Sequence, residues 1–232
     1  ARLNLHTQYA VSQALSGWRG VREAWLAGPG SLRVLTGHFA EDESDAFSPA
    51  GQRRLIDELH ALAGQIDYVV FDIGRSPQPS SKLLWQAATD VVLVSTADTV
   101  AVMDTYAAVK LCNVDPEGPR LWTFLNQAAS EAAARDAHDR IALACRRFLA
   151  LEVHRGGWMQ PTDALASQES NLAAAASSGA CEPPLLALAQ AMADLPASQE
   201  GGSTPGGREV ALARGRCLRT STDLAADISV TS

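Results

Sequence analysis

A single acid follows a run of four apolar or aromatic residues in the first half of the chain. The residues of Tyr68–Phe71 are all apolar or aromatic, and Asp72, Ile73 and Gly74 come directly after them. A continuous apolar run of this kind predicts a strand buried on both faces, as in parallel sheets. The acid then lies at the carboxyl end of the strand, where open α/β sheets bind their ligands. A carboxylate there, followed by a glycine-containing loop, is typical of sites that hold Mg²⁺ beside phosphate.

Strands and helices alternate on both sides of this segment and would position such a site. Apolar runs predict strands at 31–36, 68–72, 90–95, 121–125 and 152–159, and apolar residues at helical spacing predict helices between them. Strands that alternate with helices form parallel units with right-handed crossovers. The sequence therefore predicts an α/β domain over residues 1–195, with a mostly parallel twisted sheet and helices on both faces.

The amino-acid composition changes after residue 195. Together with the net charge and the cysteines, it limits the classes of function that the chain can have. Gly201–Gly207 is glycine-rich and few large apolar residues follow it, which predicts a flexible, disordered tail over 196–232. The arginines and leucines of 212–219 are too few, and too interrupted by Gly215, to predict membrane association. The net charge of −7 argues against binding to nucleic acid. The four cysteines form no C-x-x-C pair, so we expect reduced thiols in a cytoplasmic protein.

Five segments, in their order and spacing, resemble the MinD/ParA family of P-loop ATPases, and most closely its FlhG-like branch of flagellar number regulators. Asp67–Asp72 resembles the strand D-Y-ϕ-ϕ-ϕ-D, where ϕ is an apolar residue, and Ala87–Thr96 resembles the strand A-A-D-ϕ-ϕ-ϕ-V-T. The other three segments resemble the following helix, the strand that ends in V-N, and the motif G-ϕ-I-P-ϕ-D; they are Val102–Lys110, Leu125–Asn126 and Gly157–Asp163. The resemblance covers roughly residues 3 to 195.

The resemblance implies ATP and Mg²⁺ as ligands and assigns a role to seven residues. Asp72 would hold a magnesium-bound water or orient the attacking water, with Gly74 in the adjoining loop. The adenine pocket would be formed by Asn126, Pro161 and Asp163, and the second subunit of an ATP-bound homodimer would face Asp98 and Asp104.

Structural roles remain open for several of these residues. An acid at a strand end also caps a turn or a helix, which is the alternative for Asp72. Asparagine commonly ends strands, which is the structural alternative for Asn126. Asp163 belongs to a sequence that is typical of turns, so a turn is its structural alternative. Asp98 precedes a helix, where an acid offsets the helix dipole.

The phosphate loop of the family is missing from the chain. No G-x-x-x-x-G-K-[ST] occurs in the 232 residues, and Ala1–Ala10 aligns just after the second strand of the family. Either this is a piece of a longer ATPase, or the natural protein has lost its loop. The first case predicts an ATP-dependent regulator of flagellar or other polar-machine placement. The second predicts a non-catalytic protein-binding module of the same fold that does not bind ATP. Both cases imply a protein partner.

Overall fold

Seven helices and seven strands make up the described part of the chain. The computed structural model describes residues 11–28, 32–36, 48–74, 82–112, 118–161 and 183–194, together with the backbone of 216–220. The elements in chain order are α1 (Val11–Ser16), α2 (Val21–Ala24), β1 (Leu26–Ala27), β2 (Arg33–Val34), α3 (Pro49–Ala61), β3 (Tyr68–Asp72), α4 (Lys82–Ala87), β4 (Asp90–Ser95), α5 (Thr99–Cys112), β5 (Arg120–Leu125), α6 (Glu131–Leu149), β6 (Val153–Trp158), α7 (Pro183–Asp194) and β7 (Arg216–Thr220). The main sheet has the order β3–β7–β4–β5–β6, and all of its pairs are parallel. The predicted α/β class is confirmed.

Helices cover both faces of the central strands, as the sequence predicts. Every residue of β4 is buried, because its alternate side chains point into two different clusters. On one face Val91 and Leu93 pack in a cluster to which α4, α5 and α6 contribute. On the other face Val92 and Val94 pack with Leu188 and other residues of α7. Each fully buried aliphatic side chain contributes about 1.5–3 kcal/mol.

A buried ion pair ties the beginnings of β4 and β5 to α7. The Asp90 side chain is fully buried, and its Oδ1 lies 2.7 Å from Nε of Arg120. The Arg120 guanidinium also donates to Asp90 Oδ2 at 2.8 Å and to the backbone carbonyl of Met192 at 3.3 Å. Trp122 Nε1 donates to Asp90 Oδ1 at 2.9 Å. These bonds fix the register of the two strands at the edge opposite to the candidate site.

The prediction that β3 is buried on both faces is wrong. Tyr68 is 56% exposed and Val70 is 57% exposed, and both lie on the face that α7 covers farther along the sheet. No helix of the described part covers Tyr68 and Val70 on this face. On the opposite face Phe71 packs against the small cluster of α1 and α3. An apolar run therefore indicated a strand correctly but did not reveal that one of its faces is open.

The first predicted strand does not begin the parallel sheet. Residues Arg33–Val34 form β2, which pairs antiparallel with β1 in a separate two-stranded sheet. The prediction of parallel units from residue 31 onward is wrong for this first segment, because the chain reverses within a few residues. Parallel strands need a crossover of a dozen or more residues. The parallel units begin at β3.

One segment of the tail takes part in the main sheet. The sequence predicts disorder over 196–232, whereas Arg216–Thr220 form β7 between β3 and β4. The remainder of 196–232 lies outside the described residues. The division into a domain over 1–195 and a tail stays a prediction.

Candidate functional site

The carboxyl ends of β3, β4, β5 and β6 meet at one edge of the sheet because the strands run parallel. Asp72 is the last residue of β3, Asn126 follows β5, and Pro161 comes three residues after the end of β6. Asp98 follows β4 in the connection to α5. The fold therefore brings these four predicted residues to the edge where α/β sheets bind ligands. Asp163 lies outside the described residues.

Asp72 is exposed and shapes the turn that leaves β3. Its Oδ1 accepts a hydrogen bond of 2.9 Å from the backbone N–H of Gly74, whose φ is +73°. This backbone conformation is one that glycine adopts at no steric cost. Asp72 therefore caps this turn, which is the structural alternative that the sequence left open. A carboxylate has about four lone-pair positions, so one bond to Gly74 is compatible with a contact to a magnesium-bound water.

Asp98 caps α5. Its carboxylate accepts hydrogen bonds from the Thr96 hydroxyl and, at 3.0 Å, from the backbone N–H of Ala101. These two bonds favour the ionised form and lower the pKa of Asp98, the hydroxyl of Thr96 having the larger effect. The helix-start alternative is therefore present at this residue. Asp104 lies farther along α5, also exposed.

Backbone bonds hold the ends of β4, β5 and β6 together around Asn126. The N–H of Asn126 donates to the carbonyl of Ser95 at 2.7 Å, and Gln127 has a left-handed φ of 54°. The N–H of Ala128 donates to Met159 at 2.9 Å, which binds the segment after β6 to the turn after β5. The Asn126 amide is half-buried. A half-buried amide at this edge can offer one donor and one acceptor to a purine edge.

Beneath this edge, a buried threonine and a histidine form a contact that the sequence analysis missed. Thr123 is fully buried in the centre of β5, and its Oγ1 lies 2.6 Å from Nδ1 of His138 on α6. Burial lowers the pKa of His138, Asp139 opposes this shift, and Arg155 and His154 add to it. The only signal in the sequence is a polar residue in the middle of the apolar run Leu121–Leu125.

The outer face of α5 carries apolar side chains that the domain does not bury. Val100 is 68% exposed, Met103 is 65% exposed and Leu111 is 58% exposed, and Ala107 is exposed between them. The four residues recur at i, i+3, i+7 and i+11, so they form one stripe along the helix. We call these four residues the α5 stripe. Its first residue lies two positions after Asp98, at the edge that holds the candidate site.

The residues present do not fit a complete binding site for Mg²⁺-ATP. Most phosphate affinity in this type of site comes from the backbone N–H groups and the lysine of a glycine-rich loop. That loop is missing from the sequence of 232 residues. Within the described ranges, no three residues among His, Cys, Asp and Glu lie together as metal ligands. The described part also contains no helix long and apolar enough to cross a membrane.

Comparison with known proteins gives two relatives and no matching family model. The antiactivator FleN of Pseudomonas aeruginosa is 25% identical over 147 residues, which is 63% of this chain and 52% of FleN. The flagellum site-determining protein YlxH of Helicobacter pylori is 26% identical over 161 residues, which is 68% of this chain and 54% of YlxH. The similarity to these two proteins independently supports the resemblance to the FlhG-like branch of the MinD/ParA family that was inferred from the five sequence segments.

The chain spans about half the length of the curated relatives it matches. The name of FleN describes an antiactivator and that of YlxH describes a flagellum site-determining protein. These similarities support a relation to flagellar regulators at the level of the family.

Proposed function

We propose that this chain belongs to a regulator of flagellar number or placement, and that it acts by binding a protein partner through the α5 stripe. The relatives supply the cellular process, since the name of YlxH places it at the flagellum. The α5 stripe supplies the mode of action, because it is an apolar surface with no covering element in the described part of the domain.

The packing of α5 carries this proposal. The inner face of the helix already supplies the core with Val102, Val109 and Cys112. The outer face is not needed for that core, yet Val100, Met103 and Leu111 are more than half exposed. A helix that is apolar on both faces but buried on only one is typical of an interaction site. Asp104 and Lys110, both exposed, flank the stripe and offer charges of both signs to a partner.

Complementation with surface variants tests this proposal. In the organism that carries the gene, Met103→Asp places a charge in the α5 stripe without changing a buried residue. We expect this variant to fail to restore the normal number and position of flagella, because a buried unpaired charge costs several kcal/mol at an interface. Leu143→Asp is the matched control, since Leu143 is 62% exposed on α6 and is not part of the stripe.

Both variants must retain the thermal unfolding midpoint of the wild type, which a circular dichroism melt measures. Equal complementation by Met103→Asp and Leu143→Asp would refute the role of the stripe. Loss of function in both folded variants would show that the partner surface is not confined to the stripe and extends to α6.

A second function, ATP binding and hydrolysis in a longer protein, is favoured by Asp72 at the end of β3 and Asn126 at the end of β5. In such a protein Asp72 would hold or orient water beside the phosphate, Asn126, Pro161 and Asp163 would contact the adenine, and Asp98 and Asp104 would face a second subunit. An upstream segment would have to supply the phosphate loop. The bound Mg²⁺-ATP would supply the phosphoryl group, and the residues of this chain would position water and the base.

Turnover in a longer protein that carries a phosphate loop tests the role of Asp72. Asp72→Ala is expected to abolish ATP turnover and to leave the fold intact, because the side chain is exposed. Glu152→Ala serves as a control that removes an exposed acid outside the candidate site. Unchanged turnover in Asp72→Ala would discard the assignment.

A further inference from the structure

One sulfur atom lies in the middle of the α5 stripe. Met103 is 65% exposed, and the exposed residues Val100 and Ala107 flank it at i−3 and i+4 on the same side of the helix. From Val100 to Leu111 the stripe extends about 16 Å along the helix axis. A change of polarity at Met103 therefore divides the stripe into two short apolar segments.

The three methionines of the chain differ in their access to solvent. Met192 is almost completely buried in the cluster that α7 forms with β4 and β5, and Met159 is half-buried against the same cluster. Met103, in contrast, belongs to none of the described core clusters. A small oxidant in solution therefore reaches the thioether of Met103 much more readily than that of Met192.

The described cysteine side chains do not compete with Met103 for such an oxidant. Cys112 and Cys145 are both buried free thiols. Burial also raises the pKa of the Cys145 thiol to about 11, so the reactive thiolate is scarce near neutral pH. The side chains of Cys181 and Cys217 lie outside the described residues. Among the described sulfur atoms, that of Met103 is therefore the most open to oxidation.

We propose that Met103 is a reversible oxidation site, and that its conversion to the sulfoxide by a peroxide prevents the partner from binding to the α5 stripe. This inference rests on the partner-binding function proposed for the stripe. The sulfoxide places a polar S=O group in the middle of an apolar contact, where burying it without a hydrogen-bond donor is unfavourable. A bound partner covers Met103, so the oxidant acts on the unbound chain.

The chemistry of this site needs one oxidant and one reductant. A lone pair of the thioether sulfur attacks one oxygen of hydrogen peroxide, the O–O bond breaks and water leaves, so sulfur loses the two electrons that the peroxide gains. A methionine sulfoxide reductase reverses the step with a dithiol. The two thiols supply two electrons and two protons, the oxygen of the S=O group leaves as water, and a disulfide remains. The balance of peroxide and thiol reductant therefore sets the state of Met103.

Timed oxidation of the full chain tests the site without any partner. The folded protein is treated with hydrogen peroxide, and peptide mass spectrometry follows the gain of one oxygen at each methionine. We expect the sulfoxide to form at Met103 at least about tenfold faster than at Met192, and the two rates to become equal in guanidinium chloride. Methionine sulfoxide reductases A and B with dithiothreitol should then restore Met103. Equal rates in the folded protein, or a sulfoxide that the reductases do not remove, would overturn the proposal.

Complementation under mild oxidation tests the consequence for function. In the organism that carries the gene, each strain is compared with its own untreated culture after sublethal hydrogen peroxide. We expect peroxide to lower the fraction of cells with normal flagella at least about threefold for the wild type, and to have little effect in Met103→Leu, which removes the sulfur at nearly constant volume. Met159→Leu is the matched control and should respond as the wild type does. A response of equal size in the wild type and in Met103→Leu would overturn the proposal.

A polar mimic separates this proposal from that of the stripe itself. Met103→Gln replaces the thioether by an uncharged polar amide, as the sulfoxide does. Without peroxide, we expect it to lower the fraction of cells with normal flagella at least about threefold. Normal flagella in Met103→Gln together with loss of function in Met103→Asp would refute the oxidation switch and leave the stripe as the partner site. Normal flagella in both variants would refute the stripe, and with it this inference.

Discussion

At the scale of single residues, the buried carboxylate of Asp90 joins two strands and a helix. Its partners Arg120 and Trp122 are almost fully buried too, at 8% exposure for the arginine side chain and 2% for the tryptophan. Asp90→Ala would leave the guanidinium without its charge partner inside the domain. We expect a loss of about 3–5 kcal/mol in the free energy of unfolding, which urea titration measures. Glu152→Ala, at an exposed acid, should change it by less than about 0.5 kcal/mol. A loss below 1 kcal/mol for Asp90→Ala would contradict the structural role of the pair.

His138 gives the fold a dependence on pH. Because burial lowers its pKa below the ordinary value of 6.5, the folded state binds a proton less readily than the unfolded state. Its contribution to stability is therefore complete above pH 6.5 and declines as the pH falls below that value. In His138→Gln the part of the decline between about pH 7 and pH 5 that arises from this histidine should disappear. Urea midpoints of both proteins across this range measure the effect, and parallel curves would disprove it.

The positions of the candidate site residues could be predicted from the sequence, but their roles could not. The sequence places Asp72 and Asn126 at strand ends because apolar runs stop there, and the structure puts both at the carboxyl edge. It left two roles open for Asp98, and the structure shows that its carboxylate accepts hydrogen bonds from Thr96 and Ala101. The contact between Thr123 and His138 could not be predicted from the sequence. The two residues lie on a strand and on the next helix, and no local sequence pattern indicates that they meet.

At the scale of elements, α6 ends in a conformation that its sequence does not favour. Ala150 follows the helix with a φ of +56°, and its N–H donates to the carbonyl of Cys145. A left-handed residue with a side chain costs roughly 1 kcal/mol relative to glycine. Ala150→Gly should therefore stabilise the fold by about 0.5–1 kcal/mol. The same change at Ala132, an exposed position inside α6, should destabilise it by about 1 kcal/mol. Thermal unfolding of the two variants gives the signs, and equal signs would contradict this account.

Elements with strong local patterns agree between sequence and structure, and the exceptions have physical causes. The start of α6 follows a strong local pattern, because serine is a favoured N-cap and the Ser130 hydroxyl accepts the N–H of Ala133 at 3.2 Å. Predicted strands at 90–95 and 121–125 agree with β4 and β5 within one residue. The segment 31–36 was assigned to the parallel sheet, whereas it pairs in the separate two-stranded sheet. The residues of a single strand do not indicate which other strand it pairs with. The strand β7 was missed, because five residues in a glycine-rich tail show no period.

At the scale of the whole molecule, the sequence of 232 residues contains the helix proposed to bind a partner and several residues of the proposed nucleotide site, but no G-x-x-x-x-G-K-[ST]. It covers just over half of FleN and YlxH, so part of those proteins has no counterpart in the sequence given. The parallel sheet is closed in the middle by β7, which pairs with strands far from it in sequence.

The missing phosphate loop makes a quantitative prediction for nucleotide affinity. In the proposed site Asn126 would contact the base and Asp72 a hydrated metal, while the sequence of 232 residues has no glycine-rich loop whose backbone N–H groups would hold the triphosphate. Residues 1–232 should therefore bind Mg²⁺-ATP with a dissociation constant weaker than about 1 mM. A longer natural chain with G-x-x-x-x-G-K-[ST] upstream should bind at least about a hundredfold more tightly, a difference of roughly 2.7 kcal/mol. Titration with a fluorescent ATP analogue, with unlabelled ATP as competitor, compares the two. If residues 1–232 bind the analogue at micromolar concentration and unlabelled ATP displaces it, this chain holds phosphate through groups other than such a loop. The proposal of a partner-binding protein would then lose its main support from the sequence.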